Sequence, residues 1–80
     1  MIHVTVRVYA TLRRFLPDGG SQESYPLEMA PGTTVAGLVA HLGLPAQEVK
    51  VVFINYRSVP PEHVLADGDR VGIFPLVAGG

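Results

Sequence analysis

The sequence predicts an α+β domain of two layers, one helix stacked on a sheet, and three patterns predict it. Residues 2–9 alternate without a break, Ile2, Val4, Val6 and Val8 against His3, Thr5, Arg7 and Tyr9. Their apolar set is rich in β-branched side chains, the pattern of a strand with one buried face. Val35, Leu38, Val39 and Leu42 fall at i, i+3, i+4 and i+7 and give one helix an apolar stripe. Residues 49–54 and 70–74 read as further strands, and one helix with several half-apolar strands can cover its apolar surface only by stacking on them.

Taken in order, Ala10 to Leu16 breaks the strand period and reads as a short helical turn that tucks Leu12 and Phe15 inward and leaves Arg13 and Arg14 in water. Pro17-Asp18-Gly19-Gly20 is a loop. Ser21 to Met29 reads as a second strand, placed at an edge because Pro26 has no N–H for the ladder. Thr33 or Thr34 caps the helix. Gly43 supplies a left-handed stop, Leu44 the apolar contact that follows it, and Pro45 blocks continuation. Val49 to Ile54 is apolar on both faces, and Asn55-Tyr56-Arg57-Ser58 turns it back into Val59. Pro60 to Leu65 has room for a turn of helix, and Asp67-Gly68-Asp69 is a turn before the last strand.

A chain of 80 residues buries only about 60 to 65% of the surface it exposes when unfolded, so the core is small and leaves no room for a roofed active site. A net charge of −1, with six Lys and Arg against seven Asp and Glu, gives none of the basic field that nucleic acid needs. There is no cysteine, hence no disulfide or thiolate site, and a cytoplasmic location follows as the default. The alternating N-terminus is neither a signal peptide nor a membrane span. His3, His41 and His63 stand far apart without a second ligand at metal spacing, and a turn around Gly68 accounts for Asp67 and Asp69.

If Ile2, Val4, Val6, Val8, Val71 and Ile73 face the helix, then Arg7, Tyr9, Gly72 and Phe74 lie on the opposite, open face of the sheet. Val51 and Phe53 join them if Val52 and Ile54 point inward. Tyr9, Val51, Phe53 and Phe74 together exceed scattered exposure and mark a partner surface, the alternative being that Tyr9 and Phe74 are only packed by a loop or by each other. Beyond Arg70 the chain holds no hydroxyl, thiol, imidazole or charged side chain. The reactive group expected there is therefore the α-carboxylate of Gly80, carried on a flexible tail of residues 76–80 behind a domain of residues 1–75.

The chain resembles the β-grasp (ubiquitin-like) sulfur carriers of the MoaD/ThiS family, nearest to the small subunit of molybdopterin synthase. The resemblance is carried by Tyr9-Ala10-Thr11-Leu12-Arg13, Gly32-Thr33-Thr34-Val35 with Leu38, Ile54-Asn55, Val64 to Val71, and Phe74-Pro75-Leu76-Val77-Ala78-Gly79-Gly80. It implies a mixed sheet of four to five strands on one main helix. It also implies a carrier, not an enzyme, whose Gly80 carboxylate is joined to AMP by an E1-like (MoeB/ThiF-like) activating enzyme using ATP and then converted to a thiocarboxylate.

No cofactor is expected to stay bound. The other implied partners are a sulfur donor protein and a MoaE-like large subunit of molybdopterin synthase. Gly79 and Gly80 would thread a narrow channel, while Tyr9, Arg13, Val51, Phe53, Phe74, Pro75, Leu76, Val77 and Ala78 would meet the partner. Three departures stand out. Leu76 replaces a common proline, Leu42 to Val49 is short and nearer the thiamine type, and Tyr56 after Asn55 disfavours a primed hairpin turn. The rival functions are sulfur carriage for thiamine thiazole or another pathway, a protein modifier joined to lysines, and a plain interaction module.

Overall fold

In the computed structural model, which describes residues 1–75, five strands form one mixed sheet in the order β2-β1-β5-β3-β4. The strands are β1 (Ile2–Val8), β2 (Tyr25–Met29), β3 (Val49–Ile54), β4 (Arg57–Val59) and β5 (Arg70–Pro75), and the helix α1 spans Val35–His41. β1 and β5 run parallel at the centre, with Thr5, Arg7 and Val8 opposite Arg70, Gly72 and Ile73. Every other pairing is antiparallel. This is the β-grasp arrangement that the resemblance implies. Among the described residues no helix is long and apolar enough to cross a membrane.

The helix ends where its sequence says it should. Thr34 accepts a hydrogen bond from the Gly37 N–H at 3.2 Å, which settles the cap in favour of Thr34. At the other end Gly43 takes φ +75°, its N–H reaches Ala40 O, and Leu44 N–H reaches Val39 O, the paired bonds of a Schellman stop. Val35, Leu38 and Val39 then drop onto Val4, Val6, Val8, Val52, Ile54, Val71 and Ile73, with Leu12, Leu16, Met29, Leu44 and Leu65 closing the edges of the same cluster.

The structure departs from the sequence reading at four places, each for a local reason. β2 starts at Tyr25 and not Ser21, because the polar groups of the preceding loop are satisfied among themselves. Asp18 accepts from Gly20 N–H, Ser21 Oγ and the Tyr25 hydroxyl, and Gln22 N–H donates to Tyr25. Arg13 is half-buried, not in water. Its Nε donates to Gly20 O at 3.1 Å and its Nη2 to Gln22 O at 2.9 Å, so it clamps that loop. Arg14 alone stays exposed, over the Phe15 ring.

Residues 60–65 form no helix, because their backbone serves α1 instead. His63 O and Pro61 O accept the otherwise orphaned N–H groups of Val35 and Ala36, each at 2.9 Å. Finally, Asn55 and Tyr56 both take positive φ, +51° and +70°, the sign that a primed two-residue turn requires, although Tyr56 opposes it.

A buried carboxylate holds that turn. Asp69, 7% exposed, accepts from Asn55 Nδ2 at 3.0 Å and from Ala66 N–H at 2.8 Å. The Asn55 Oδ1 in turn accepts from Arg70 N–H at 3.0 Å. The turn between β3 and β4 is therefore pinned to the start of β5 from both sides. Asp69→Ala strands two donors and should lower stability by about 2 kcal/mol, read as a lower midpoint in urea with an unchanged slope.

Asp67, on the other side of Gly68, takes the His3 N–H at 2.7 Å, and that bond, with the imidazole beside it, holds its carboxyl below the ordinary value. A lowered folded-state pKa stabilises at neutral pH. That contribution is lost as pH falls through the folded value.

Candidate functional site

The open face of the sheet is built by strand alternation. Because Val4, Val6 and Val8 point to the helix, Thr5, Arg7 and Tyr9 point away from it. Arg70, Gly72 and Phe74 do the same on β5, as do Val51 and Phe53 on β3. Register then sets them in rows. Val51 lies opposite Phe74, Phe53 opposite Gly72 and Gly72 opposite Arg7, while Arg70 sits opposite Thr5.

The aromatic residues gather into one cluster at the end of β5. Tyr9 stacks on Phe74 with centroids 4.3 Å apart and planes 4° from parallel, and Phe53 meets Phe74 edge-on at 5.5 Å and 84°. Tyr9 keeps its place because Ala10 takes φ +54°, turning the chain sharply off β1 after the Tyr9 N–H has bonded Ile73 O. Gly72 leaves the floor bare beneath them. A Cβ there would meet the Phe74 and Tyr9 ring edges at 3.4 and 3.5 Å.

The three rings are half-buried, so the expected mutual packing and an apolar surface coexist. Val51 is half-buried beside them, and Pro75, buried against Val49, ends β5 next to Phe74. The structure thus brings together Tyr9, Val51, Phe53 and Phe74, whereas Pro75 has the alternation phase of Val71 and Ile73 and is buried on the other face of the sheet. Arg13 stands apart as a loop clamp. Leu76, Val77, Ala78, Gly79 and Gly80 lie outside the described residues.

Next to the cluster runs a groove of about 460 Å³, floored by Gly72 and lined by Tyr9 and Phe74 on one side, Tyr56 on the other, and Arg7 and Arg70 between. Arg7 pairs with Glu23, whereas Arg70 makes no ion pair among the described residues. His3 lies beyond Thr5 on the same face, 3.6 Å from Glu28 and 3.4 Å from Asp67. The face therefore changes from aromatic at the end of β5, through arginine, to acidic.

Arg70 and Tyr56 were not among the residues singled out from the sequence. Arg70 shares the alternation phase of Phe74 and was readable from it, but Tyr56 joins the face only through the primed turn. Among the described residues no group of three or more His, Cys, Asp or Glu is placed to hold a metal ion.

A protein-family model described as Mut7-C ubiquitin matches residues 1–79. No curated protein matches the sequence. Several solved structures share the fold. The HVO 2177 protein of Haloferax volcanii has a TM-score of 0.76 at 29% identity, covering 99% of this chain and 87% of that one. A Pyrococcus furiosus protein provisionally assigned as subunit 1 of a molybdopterin converting factor has a TM-score of 0.74 at 23% identity, covering 96% and 100%. The small archaeal modifier protein 1 of H. volcanii has a TM-score of 0.71 at 17% identity, covering 96% and 100%.

Proposed function

This chain belongs to the Mut7-C ubiquitin family, and from that premise we propose that it is a sulfur carrier, charged at Gly80, that supplies molybdopterin-type cofactor synthesis. The proposal takes Gly80 as the last residue of the mature chain. One observation carries it. The aromatic cluster of the open face ends at Phe74, one residue before the end of β5, so a protein that grips Tyr9, Phe53 and Phe74 sits close to where residues 76–80 begin.

The chemistry follows from the carboxylate. An ionised carboxylate is a poor electrophile, so it first attacks the α-phosphate of ATP on an E1-like activating enzyme of MoeB/ThiF type. Pyrophosphate leaves, and an acyl-adenylate forms. The outer sulfur of a persulfide on the donor protein then attacks the acyl carbon and expels AMP. A second thiol cleaves the resulting acyl disulfide, leaving as a disulfide with the donor's sulfur, so that a thiocarboxylate remains on Gly80 for transfer to an acceptor such as a pterin precursor. The chain contributes no general acid, base or metal to these steps. It is a co-substrate that presents an end, and ATP belongs to the partner.

The subunit-1 assignment of the P. furiosus structure favours the molybdopterin pathway, and the family resemblance adds a MoaE-like large subunit as second partner. The likeness to an archaeal modifier protein favours a second reading, in which the same adenylate is attacked by a lysine amine of another protein.

Chain-dependent exchange of pyrophosphate into ATP by the activating enzyme tests the first step. Exchange is expected with the full chain, and its absence with a MoeB/ThiF-type enzyme contradicts the proposal. Phe74→Ala should raise the chain concentration needed for half-maximal exchange by about 10 to 100-fold, the cost of losing an aromatic anchor of 1.4 to 2.7 kcal/mol, with the far-UV spectrum unchanged.

A further inference from the structure

We propose that the groove between Tyr56 and the Tyr9–Phe74 stack binds a partner segment that carries carboxylates beside an apolar residue, with Arg70 and Arg7 pairing the carboxylates. The inference rests on the open face being a partner surface and names the chemistry that surface selects.

Three observations carry it. The first is charge. The groove is lined by two guanidinium groups and no acidic residue, and Arg70 has no ion-pair partner among the described residues. The second is that one of these guanidinium groups already takes a carboxylate from outside the groove. Glu23, on the loop before β2 and not part of the lining, pairs with Arg7 with its own side chain 81% exposed, so a partner's carboxylate can displace it. The third is shape. Gly72 leaves a floor without a side chain, and the Tyr9–Phe74 stack walls one side.

Tyr56 walls the other side, 86% exposed at φ +70°, so a large ring is held out to solvent on a backbone that opposes it. Such strain is retained where the surroundings fix it, here through Asn55 and Asp69, and it collects at binding sites. A segment with an apolar side chain between two acids would set that side chain over Gly72 between the rings. Its carboxylates would then reach Arg70 and Arg7.

The test is a titration of the ¹⁵N-labelled chain with the end-blocked peptide Asp-Leu-Glu-Phe-Asp and, separately, with its amide twin Asn-Leu-Gln-Phe-Asn. The acidic peptide should move the amide signals of Arg7, Tyr56, Arg70 and Gly72 and bind about tenfold tighter than the twin at low ionic strength, with the gap closing in salt. Glu23→Gln should tighten the acidic peptide about threefold by freeing Arg7, and Arg70→Gln should weaken it about fivefold. A residue that merely maintained the fold would not give these opposite signs.

Equal binding of the two peptides, no shift from either up to about 5 mM, or a Glu23→Gln variant that binds no tighter would each overturn the proposal. The titration uses neither ATP nor an activating enzyme, so its failure leaves the sulfur-carrier reading standing. A chain that binds the acidic peptide but is never charged at Gly80 removes that reading and keeps this one.

Discussion

A chain that lacks Gly80 is expected to fold as the full chain does and to be almost inert toward its activating enzyme. The core explains the first half. The core cluster of the described chain runs from Val4 to Ile73, and the pairing of β5 with β3 ends at Pro75, so the described core is assembled from residues ahead of the tail. Geometry explains the second half. Five residues from Leu76 to Gly80 reach about 16 Å when extended, and losing one draws the carboxyl back by about 3.3 Å.

In-line attack on a phosphate tolerates little of that, since a misplacement of about 1 Å already costs about 10²-fold. Pyrophosphate exchange should therefore fall by at least about 10²-fold while the melting temperature stays within about 1 °C. Adding one alanine after Gly80 should do similar harm, through a side chain where none fits. If either variant exchanged pyrophosphate at the full rate, the carboxyl of Gly80 would not be the reacting group.

The largest effect on stability is expected from Leu38→Ala. Leu38 is fully buried at the middle of the helix stripe, against the β1 and β5 side chains that form the sheet's inner face. Removing its three outer carbons should cost about 3 to 4 kcal/mol through lost transfer energy and the cavity left behind. A domain of this size has on the order of 4 to 12 kcal/mol in all, so the variant should be partly unfolded near body temperature. Thermal unfolding followed by circular dichroism reads this directly, and a loss under about 1 kcal/mol would mean that the helix does not rest on the sheet through Leu38.

Much of this fold could be read from residues because burial and local chemistry agree. The phase of Val4, Val6 and Val8 places Tyr9 on the open face, and the phase of Val52 and Ile54 does the same for Val51 and Phe53. Thr34, Gly43 and Leu44 end the helix through their own side-chain or backbone bonds. What escaped the reading depends on partners distant in sequence. The Asn55-Tyr56 turn looks unfavourable until Asp69 is brought beside it. Arg13 looks like a solvated cation until Gly20 and Gln22 offer it their carbonyls. Residues 60–65 have room for a turn of helix until α1 needs the carbonyls of Pro61 and His63 at its start.

The candidate site divides along the same line. The aromatic cluster follows from alternation alone, but the Arg70 and Tyr56 side of the groove exists only once the turn is pinned. Tyr56 therefore connects a fold device to a binding surface. For residues 76–80 the expectation of a reacting α-carboxylate at Gly80 comes from the absence of any other reactive side chain beyond Arg70, and its charging with AMP and sulfur is implied by the family resemblance.

The most direct measurement is the intact mass of the chain isolated from its native cell, with fragmentation across the C-terminus. The account predicts a mass ending at Gly80, with a fraction in which one terminal oxygen is replaced by sulfur. Residues continuing past Gly80, or Gly80 found only in amide linkage to lysines of other proteins, would contradict it.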